Sequence, residues 1–509
     1  MAAAITAGML VAGFVGADAS PFLAVGDVVV DHTPSAVREF AIRSVGTSDK
    51  TLLFLGLGVV LFVLGIAAGL VSRWRAWPGT LVLLVLGVVG FAAVLNRSDL
   101  GQLAFIAPLA STVAALVVFG WLHGLARAAA RARADTEADA GAGTRGWTET
   151  RQPTGAEDRR RFLVGSVSVA AGATIAGVVG QAIGASAANT AASQRAVGPL
   201  PTVPPVPAGA DFGALGTPRF VTANRDFYRV DTALTVPELT TDGWSLRVHG
   251  MVDRELTLSF ADIRDRPLVE RPITLCCVSN PVGGPYISNA YFVGVPLADL
   301  LNEAGVHPDA DQVLSTSVDG FTAGTPVSAV LDPARGALLA IGMNGAPLPV
   351  EHGFPARLVV PGLYGYVSAT KWVTDLELTT FAARQAYWVP RGYSAQAPVK
   401  TESRIDVPRG GANVRAGQVT VAGIAWAQHK GIAKVEVRVD GGPWQVATLS
   451  TEVSKDTWRM WRITVGLRPG SHAIEARATD DTGYTQTDAV ADTVPNGATG
   501  WPELSVTAS

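Results

Sequence analysis

The sequence predicts three kinds of structure in one chain: an α-helical transmembrane bundle, then an α+β domain, then a C-terminal immunoglobulin-like β-sandwich. Three observations carry this. The chain has 509 residues, of which only 16% are charged, against about 25% in an average soluble protein, and its mean hydropathy is +0.28. Nearly all of that apolar character falls in the first quarter. Beyond residue 400, short alternating apolar runs recur at near ten-residue spacing, as in a sandwich of brief strands. At about 150 residues per domain the length accommodates three parts.

The membrane part comes first. From Thr51 to Leu125 the only formal charges are Arg73, Arg75, Arg97 and Asp99. They separate apolar runs at Thr51–Val71, Pro78–Leu95 and Leu103–Leu125, each near the roughly 20 residues that one bilayer crossing needs. Met1–Gly16 is uncharged but short, a fourth and weaker candidate. Residues 126–161 form an Arg-rich linker carrying Arg127, Arg131, Arg133, Arg145, Arg151, Arg159, Arg160 and Arg161, which the positive-inside rule places in the cytoplasm. Arg159-Arg160-Arg161-Phe162-Leu163 opens a mildly apolar segment, 162–188, that resembles a twin-arginine export signal. Its alternative is a further transmembrane helix. Either way, everything after it is expected outside the cytoplasm, at the cell membrane. Prolines at 199, 201, 204, 205 and 207 mark residues 189–210 as an extended tether.

Residues 211–398 read as the α+β domain. Strands are expected at Trp244–Val248, Glu255–Leu258, Ile273–Leu275, Arg357–Val360 and Trp372–Leu378, with helices at Phe260–Asp265 and Pro296–Ala304. Residues 401–494 read as the sandwich, with strands at Gln418–Ile424, Ile432–Asp440, Trp444–Leu449, Trp458–Val465 and Gly470–Thr479. The net charge of −3 and the absence of a basic tract exclude nucleic acid as the main partner.

The two cysteines stand together in Thr274-Leu275-Cys276-Cys277-Val278-Ser279-Asn280. Adjacent residues on a strand point to opposite faces, so at most one faces a given site. Two buried thiols, or a strained vicinal disulfide, are the plain alternatives. Two cysteines make neither a disulfide framework nor a four-cysteine zinc site.

The strings around them form an ordered series. Thr274, Leu275, Cys277 and Asn280 are followed by Ser288-Asn289-Ala290, Gly294-Val295-Pro296-Leu297, Met343-Asn344-Gly345, His352-Gly353-Phe354-Pro355-Ala356-Arg357, Val359-Val360-Pro361-Gly362 and Lys371-Trp372. Later come Gly423-Ile424-Ala425-Trp426 and Val439-Asp440-Gly441-Gly442-Pro443-Trp444. Together these resemble the sulfite oxidase family of molybdenum-cofactor oxidoreductases and its C-terminal dimerisation domain. The resemblance implies an α+β molybdopterin domain with Cys277 as the thiolate ligand of molybdenum, a soft donor suited to that metal. It implies that Asn280 and Phe321 belong to the catalytic centre. Arg225, Tyr228 and Arg229 match a pterin-contacting segment in the bacterial methionine-sulfoxide reductase branch. His352 and Arg357 match cofactor contacts, and Thr370 and Lys371 match the loop around the cofactor's phosphate.

The sequence also departs from sulfite oxidases. Pro281-Val282-Gly283-Gly284 follows Asn280 where they place an arginine, and Gly365-Tyr366-Val367-Ser368 lacks another. Phe321 stands at the position of their active-site Tyr, and no His follows Phe227-Tyr228. Sulfite is a dianion that needs cations around it, so a sulfoxide, an N-oxide or a similar small substrate is expected instead, with sulfite as the alternative. No haem is expected: the membrane part holds only His32, between spans, and His123, at a span end, and Cys-x-x-Cys-His is absent. Electrons would then pass to or from a separate membrane or extracytoplasmic carrier, and a homodimer is possible. A non-catalytic, membrane-anchored binding protein with an immunoglobulin-like tip is the competing class.

Overall fold

The computed structural model of the chain describes residues 1–15, 19–33, 37, 49–95, 103–141, 186–230, 232–233 and 235–509. It divides into two compact units, Met1–Ala185 and Ser186–Ser509.

The first unit is helical. α1 (Ala2–Val15), α2 (Pro21–His32), α3 (Asp49–Val71), α4 (Trp77–Leu95) and α5 (Ile106–Gly141) account for nearly all its described residues. Lys50–Val71, Trp77–Leu95 and Ile106–Arg131 are long and apolar enough to cross a membrane. Large apolar side chains such as Leu55, Phe62 and Leu70 on α3 are exposed, as lipid-facing residues would be. α1 packs along α5, where Ser111 Oγ donates to the Ala4 carbonyl at 2.8 Å.

His32, expected between spans, ends α2, a short helix between α1 and α3 that Pro21 opens at its first turn. One expectation is corrected here. His123 lies inside a helix, because the Ala- and Arg-rich residues after Leu125 continue α5 to Gly141. Residues 126–141, close to half of the expected linker, are therefore helix. The twin-arginine-like segment lies outside the described residues, apart from 186–188 at the start of α6 (Ser186–Ala196).

The second unit contains four sheets. Two belong to the α+β part. One has the order β2-β1-β10-β5-β6, built from β1 (Ser245–Gly250), β2 (Leu256–Ser259), β5 (Gln312–Ser317), β6 (Thr322–Pro326) and β10 (Val373–Thr379); only the β1–β10 pair is parallel. The other has the order β3-β4-β7-β8, with β9 on β7: β3 (Val269–Cys276), β4 (Ile287–Pro296), β7 (Leu338–Met343), β8 (Ala346–Pro347) and β9 (Arg357–Val359). Short helices connect them. α7 (Phe260–Arg264) starts at a capping box, Ser259 with Asp262. α8 (Leu297–Ala304) buries Leu297, Leu300, Leu301 and Ala304 on one face and stops at Gly305, φ 74°. α9 (Val327–Leu331) and α10 (Gly365–Ser368) complete the set.

The C-terminal part packs two sheets over one core. The first orders β11 (Glu402–Val407), β13 (Gly417–Trp426), β17 (Arg459–Leu467) and β16 (Thr448–Leu449). The second orders β12 (Asn413–Val414), β19 (Glu503–Ala508), β18 (Gly470–Asp480), β14 (Ile432–Val439) and β15 (Gln445–Val446). Val421, Val435, Trp461 and Ala476 meet between them. Pairing continues to Ala508, beyond the expected limit at 494, because β19 pairs with both β18 and β12.

The proline segment is not a free tether. Val197 is buried in the main core, and Leu200 and Val206 pack against it. Arg264 donates to the carbonyls of Val197 and Pro199, at 3.0 and 2.8 Å. Thr451 Oγ1 donates to the Ala208 carbonyl at 3.0 Å. An extended chain without its own ladder satisfies its carbonyls with side chains of the surface beneath it. The α+β and C-terminal parts share that main core as well, since Ile424, Trp426, Trp458 and Met460 are in it.

Candidate active site

β3 ends at the cysteine pair. Cys276 points inward and is 0% exposed, while Cys277 is partly exposed, as strand alternation requires. Neither is in a disulfide. Burial pushes the Cys276 thiol well above its ordinary pKa. The chain turns at once: Cys277 N–H donates to the Tyr286 carbonyl at 3.0 Å and Asn280 N–H to the Cys277 carbonyl at 3.1 Å. Asn280 Oδ1 accepts from Tyr286 N–H at 2.8 Å, but its Nδ2 is buried with no partner.

The strand is gripped on its other side by the C-terminal part. Thr274 N–H donates to the Asp456 carbonyl at 2.9 Å. Thr274 Oγ1 accepts from Trp458 N–H at 2.7 Å and donates to Asn289 Oδ1 at 3.0 Å. Gln428 Nε2 donates to the Thr274 carbonyl at 3.1 Å.

Tyr228 lies within electrostatic reach of both cysteines and of Arg357. Burial raises its phenol pKa most, the cysteines act in the same direction, and Arg357 opposes them. Its hydroxyl stands 3.6 Å from where a Cβ on Gly365 would be, so α10 begins directly beside it. Tyr228 N–H donates to Ser288 Oγ at 3.1 Å.

Arg357 is 5% exposed and has no carboxylate partner among the described residues. Its nitrogens donate only to backbone carbonyls: Leu358 at 3.5 Å, His352 at 3.1 Å and Ala369 at 3.3 Å. Burial lowers its pKa to about 10. His352, 3% exposed, places Nε2 at 3.0 Å from the Asn224 carbonyl. A carbonyl only accepts, so Nε2 carries the proton and Nδ1 is left as an acceptor. Burial first, then the neighbouring Arg357, hold the ring pKa at about 4, and Lys371 acts in the same direction. His352 is therefore neutral at pH 7.

Asn344, at φ 53°, explains how this geometry is held. Its Nδ2 donates to Asn224 Oδ1 at 2.7 Å and to the Thr222 carbonyl at 2.9 Å, and its Oδ1 accepts from Tyr291 N–H at 3.0 Å.

The structure thus brings Cys277, Asn280, Tyr228, His352, Arg357 and Lys371 to one region. Thr370 adjoins this region, its carbonyl accepting from Leu358 N–H at 2.8 Å, whereas Arg225 points into solvent. Arg225 is 88% exposed and pairs with its neighbour Asp226 at 3.5 Å. Arg229 is partly exposed. Thr370 is buried with its hydroxyl 2.7 Å from Ser315 Oγ, which makes it a brace between loop and strand. Phe321, in the β5–β6 turn, packs on Tyr387, ring centroids 5.7 Å apart.

Comparison with known proteins decides the family. Residues 233–388 match the family model "Oxidoreductase molybdopterin binding domain", and residues 394–496 match "Mo-co oxidoreductase dimerisation domain". Sulfite oxidase of Gallus gallus is 32% identical over 321 residues, covering 54% of this chain and 69% of that one. The chain belongs to the sulfite oxidase-like molybdopterin oxidoreductases. Mitochondrial sulfite oxidase of Macaca fascicularis is 30% identical over 324 residues, 54% of this chain. The chain spans only 59% of that relative's length. An uncharacterized oxidoreductase of Bacillus subtilis is 36% identical over 150 residues, 30% of this chain and 72% of that one.

Two features of the site fit this family's cofactor, which is long, polar and phosphorylated. Arg357 is a buried cation with no counter-charge, a costly arrangement unless an anion arrives. Asn280 Nδ2 is a buried donor lacking an acceptor.

Three residues were missed in the sequence. Asn344 and Asn289 lie in the motif strings, but nothing in a string distinguishes a brace from a ligand. Arg404, from β11, donates to the Gly284 carbonyl at 2.9 Å and to Asp406 Oδ1 at 2.8 Å. It reaches the loop after Asn280 from more than a hundred positions away, so no local signal announces it.

Proposed function

We propose that the chain is a membrane-anchored, outward-facing molybdopterin oxidoreductase that transfers an oxygen atom at a molybdenum centre ligated by Cys277. The observation that carries this reading is a partly exposed Cys277 beside Tyr228, with a buried, uncompensated Arg357 behind it. When bound, the molybdenum–pterin group supplies two-electron oxygen-atom chemistry. This chain's residues hold it: Cys277 as thiolate ligand, Asn280 Nδ2 and His352 Nδ1 as donor and acceptor, and Arg357 and Lys371 as the cationic end for phosphate.

The substrate we infer is a sulfoxide, an N-oxide or a similar small neutral molecule. Residues 281–284 carry no cation. Arg404, which reaches this loop, is committed to Asp406 and to the Gly284 carbonyl. Sulfite is the second reading, favoured by the names of the relatives. Steady-state assays of the purified chain separate the two: sulfoxide or N-oxide reduction is expected to outpace sulfite oxidation, and the reverse would reject the first reading.

We further infer export by the twin-arginine route, a C-terminal part of immunoglobulin type, and a separate electron carrier in place of a resident haem. An optical spectrum of the intact protein lacking a Soret band is the expected result. Molybdenum and pterin content decides the core of the reading: wild type and Cys276→Ser retain the metal, and Cys277→Ser loses it.

A further inference from the structure

Glu402 opens β11 and is 4% exposed, yet its Oε1 has no hydrogen-bond partner. Across the antiparallel ladder it pairs with Trp426, whose indole Nε1 is also buried and unpartnered. Opposed residues in such a pair share one face, with Cβ atoms about 4.5–5.5 Å apart. A buried acceptor and a buried donor, each without a partner among the described residues, thus leave the sheet on the same face. Buried polar groups lacking a protein partner are commonly bonded to internal water.

Three titratable side chains lie within electrostatic reach of the Glu402 carboxyl: Cys276 at the end of β3, Tyr364 before α10 and Lys400 before β11. Arg404, two positions on along β11, acts on Cys276. Neither cation is bonded to the carboxyl. The Lys400 ammonium donates to the Gly497 carbonyl, and Arg404 donates to Asp406 and to Gly284. Burial raises the Glu402 pKa to about 8, against only partial relief from Lys400. An acid so placed keeps its proton at pH 7.

We propose that Glu402 is a positioning residue for the cysteine strand: a buried acid on β11 opposite Trp426, joined to it through an internal water, on the strand whose Arg404 holds the loop after Cys277. This rests on the reading of Cys277 as the molybdenum ligand. Glu402 touches no substrate; it acts through β3. A thiolate ligand and an anionic cofactor already load the site with negative charge, and an ionised Glu402 would add to it.

The test uses the full chain in detergent, wild type against Glu402→Gln, from about pH 5 to pH 9. The unfolded chain releases the Glu402 proton near its ordinary value of 4.5, whereas the folded chain keeps it to about 8. Stability conferred by the proton is full below the lower value and is lost as pH rises to the upper one. The wild-type melting midpoint is therefore expected to fall relative to the Gln variant across that window, by several degrees, and the two curves to converge at the acid end. Turnover of wild type should show an alkaline limb near pH 8 that the Gln variant lacks. Parallel melting curves, or an unchanged alkaline limb in the variant, overturn the proposal. If the Gln variant does not fold, infrared spectra of wild type decide: a protonated-carboxyl band must disappear between pH 7 and pH 9, and its absence rejects the idea. Metal content of wild type is read separately. Metal-free wild type defeats the ligand reading, while the melting curves judge Glu402 by themselves.

Discussion

His352 and Arg357 set opposite problems for the folded chain. The imidazole is neutral because it is buried beside a guanidinium, and the guanidinium stays charged with no acid to meet it. For His352 the linkage has a definite sign. The unfolded chain takes up its proton near pH 6.5, while the folded chain resists to about 4. Stability is thus lost as pH falls through that window, by on the order of 3 kcal/mol. His352→Gln is expected to flatten the acid side of a melting-midpoint profile. For Arg357, substitution by Leu should leave a folded chain that loses at least tenfold in pterin affinity, with Lys retaining part of it because a point charge replaces a planar fork. Cofactor content after purification measures both.

At the scale of elements, β3 is the decisive piece. Thr274 ties it to β4 through Asn289 and to the C-terminal part through Asp456, Trp458 and Gln428. Thr274→Val keeps the shape but leaves Trp458 N–H and Asn289 Oδ1 without that partner. A cost of about 1–3 kcal/mol is expected, read by denaturant unfolding, with faster alkylation of Cys277 in cofactor-free protein. The cysteine strand was legible in the sequence, and so were α7, α8 and most strands of the C-terminal part, because they alternate or carry caps. β4 and β7 were not. Nine of the ten β4 residues and all of β7 are buried, and a strand covered on both faces shows no two-residue period. Among the candidate-site residues, Cys277, Asn280, His352 and Arg357 stand in the motif series that the sequence offers. Arg225 was not separable from them, since exposure at a short 3-10 turn leaves no mark in composition. Glu402 and Arg404 were invisible, because their positions depend on one strand of the C-terminal part lying against the cysteine loop.

For the molecule as a whole, the docked proline segment matters more than the expected tether would. Val197 is buried and residues 197–210 bridge the α+β and C-terminal parts. A fragment beginning at Ser186 is expected to fold and to remain in solution without detergent, whereas one beginning at Asp211 should lose that bridging surface and melt several degrees lower. Circular dichroism of the two fragments compares them.

The grip on Thr274 also fixes a chronology. Two of its partners, Gln428 and Trp458, lie 154 and 184 positions further along the chain. During synthesis Cys277 leaves the ribosome long before the residues that hold its strand. The thiol that we propose as the metal ligand can reach its final geometry only after nearly the whole polypeptide has been made, so on that reading cofactor loading belongs to the finished chain and not to the growing one.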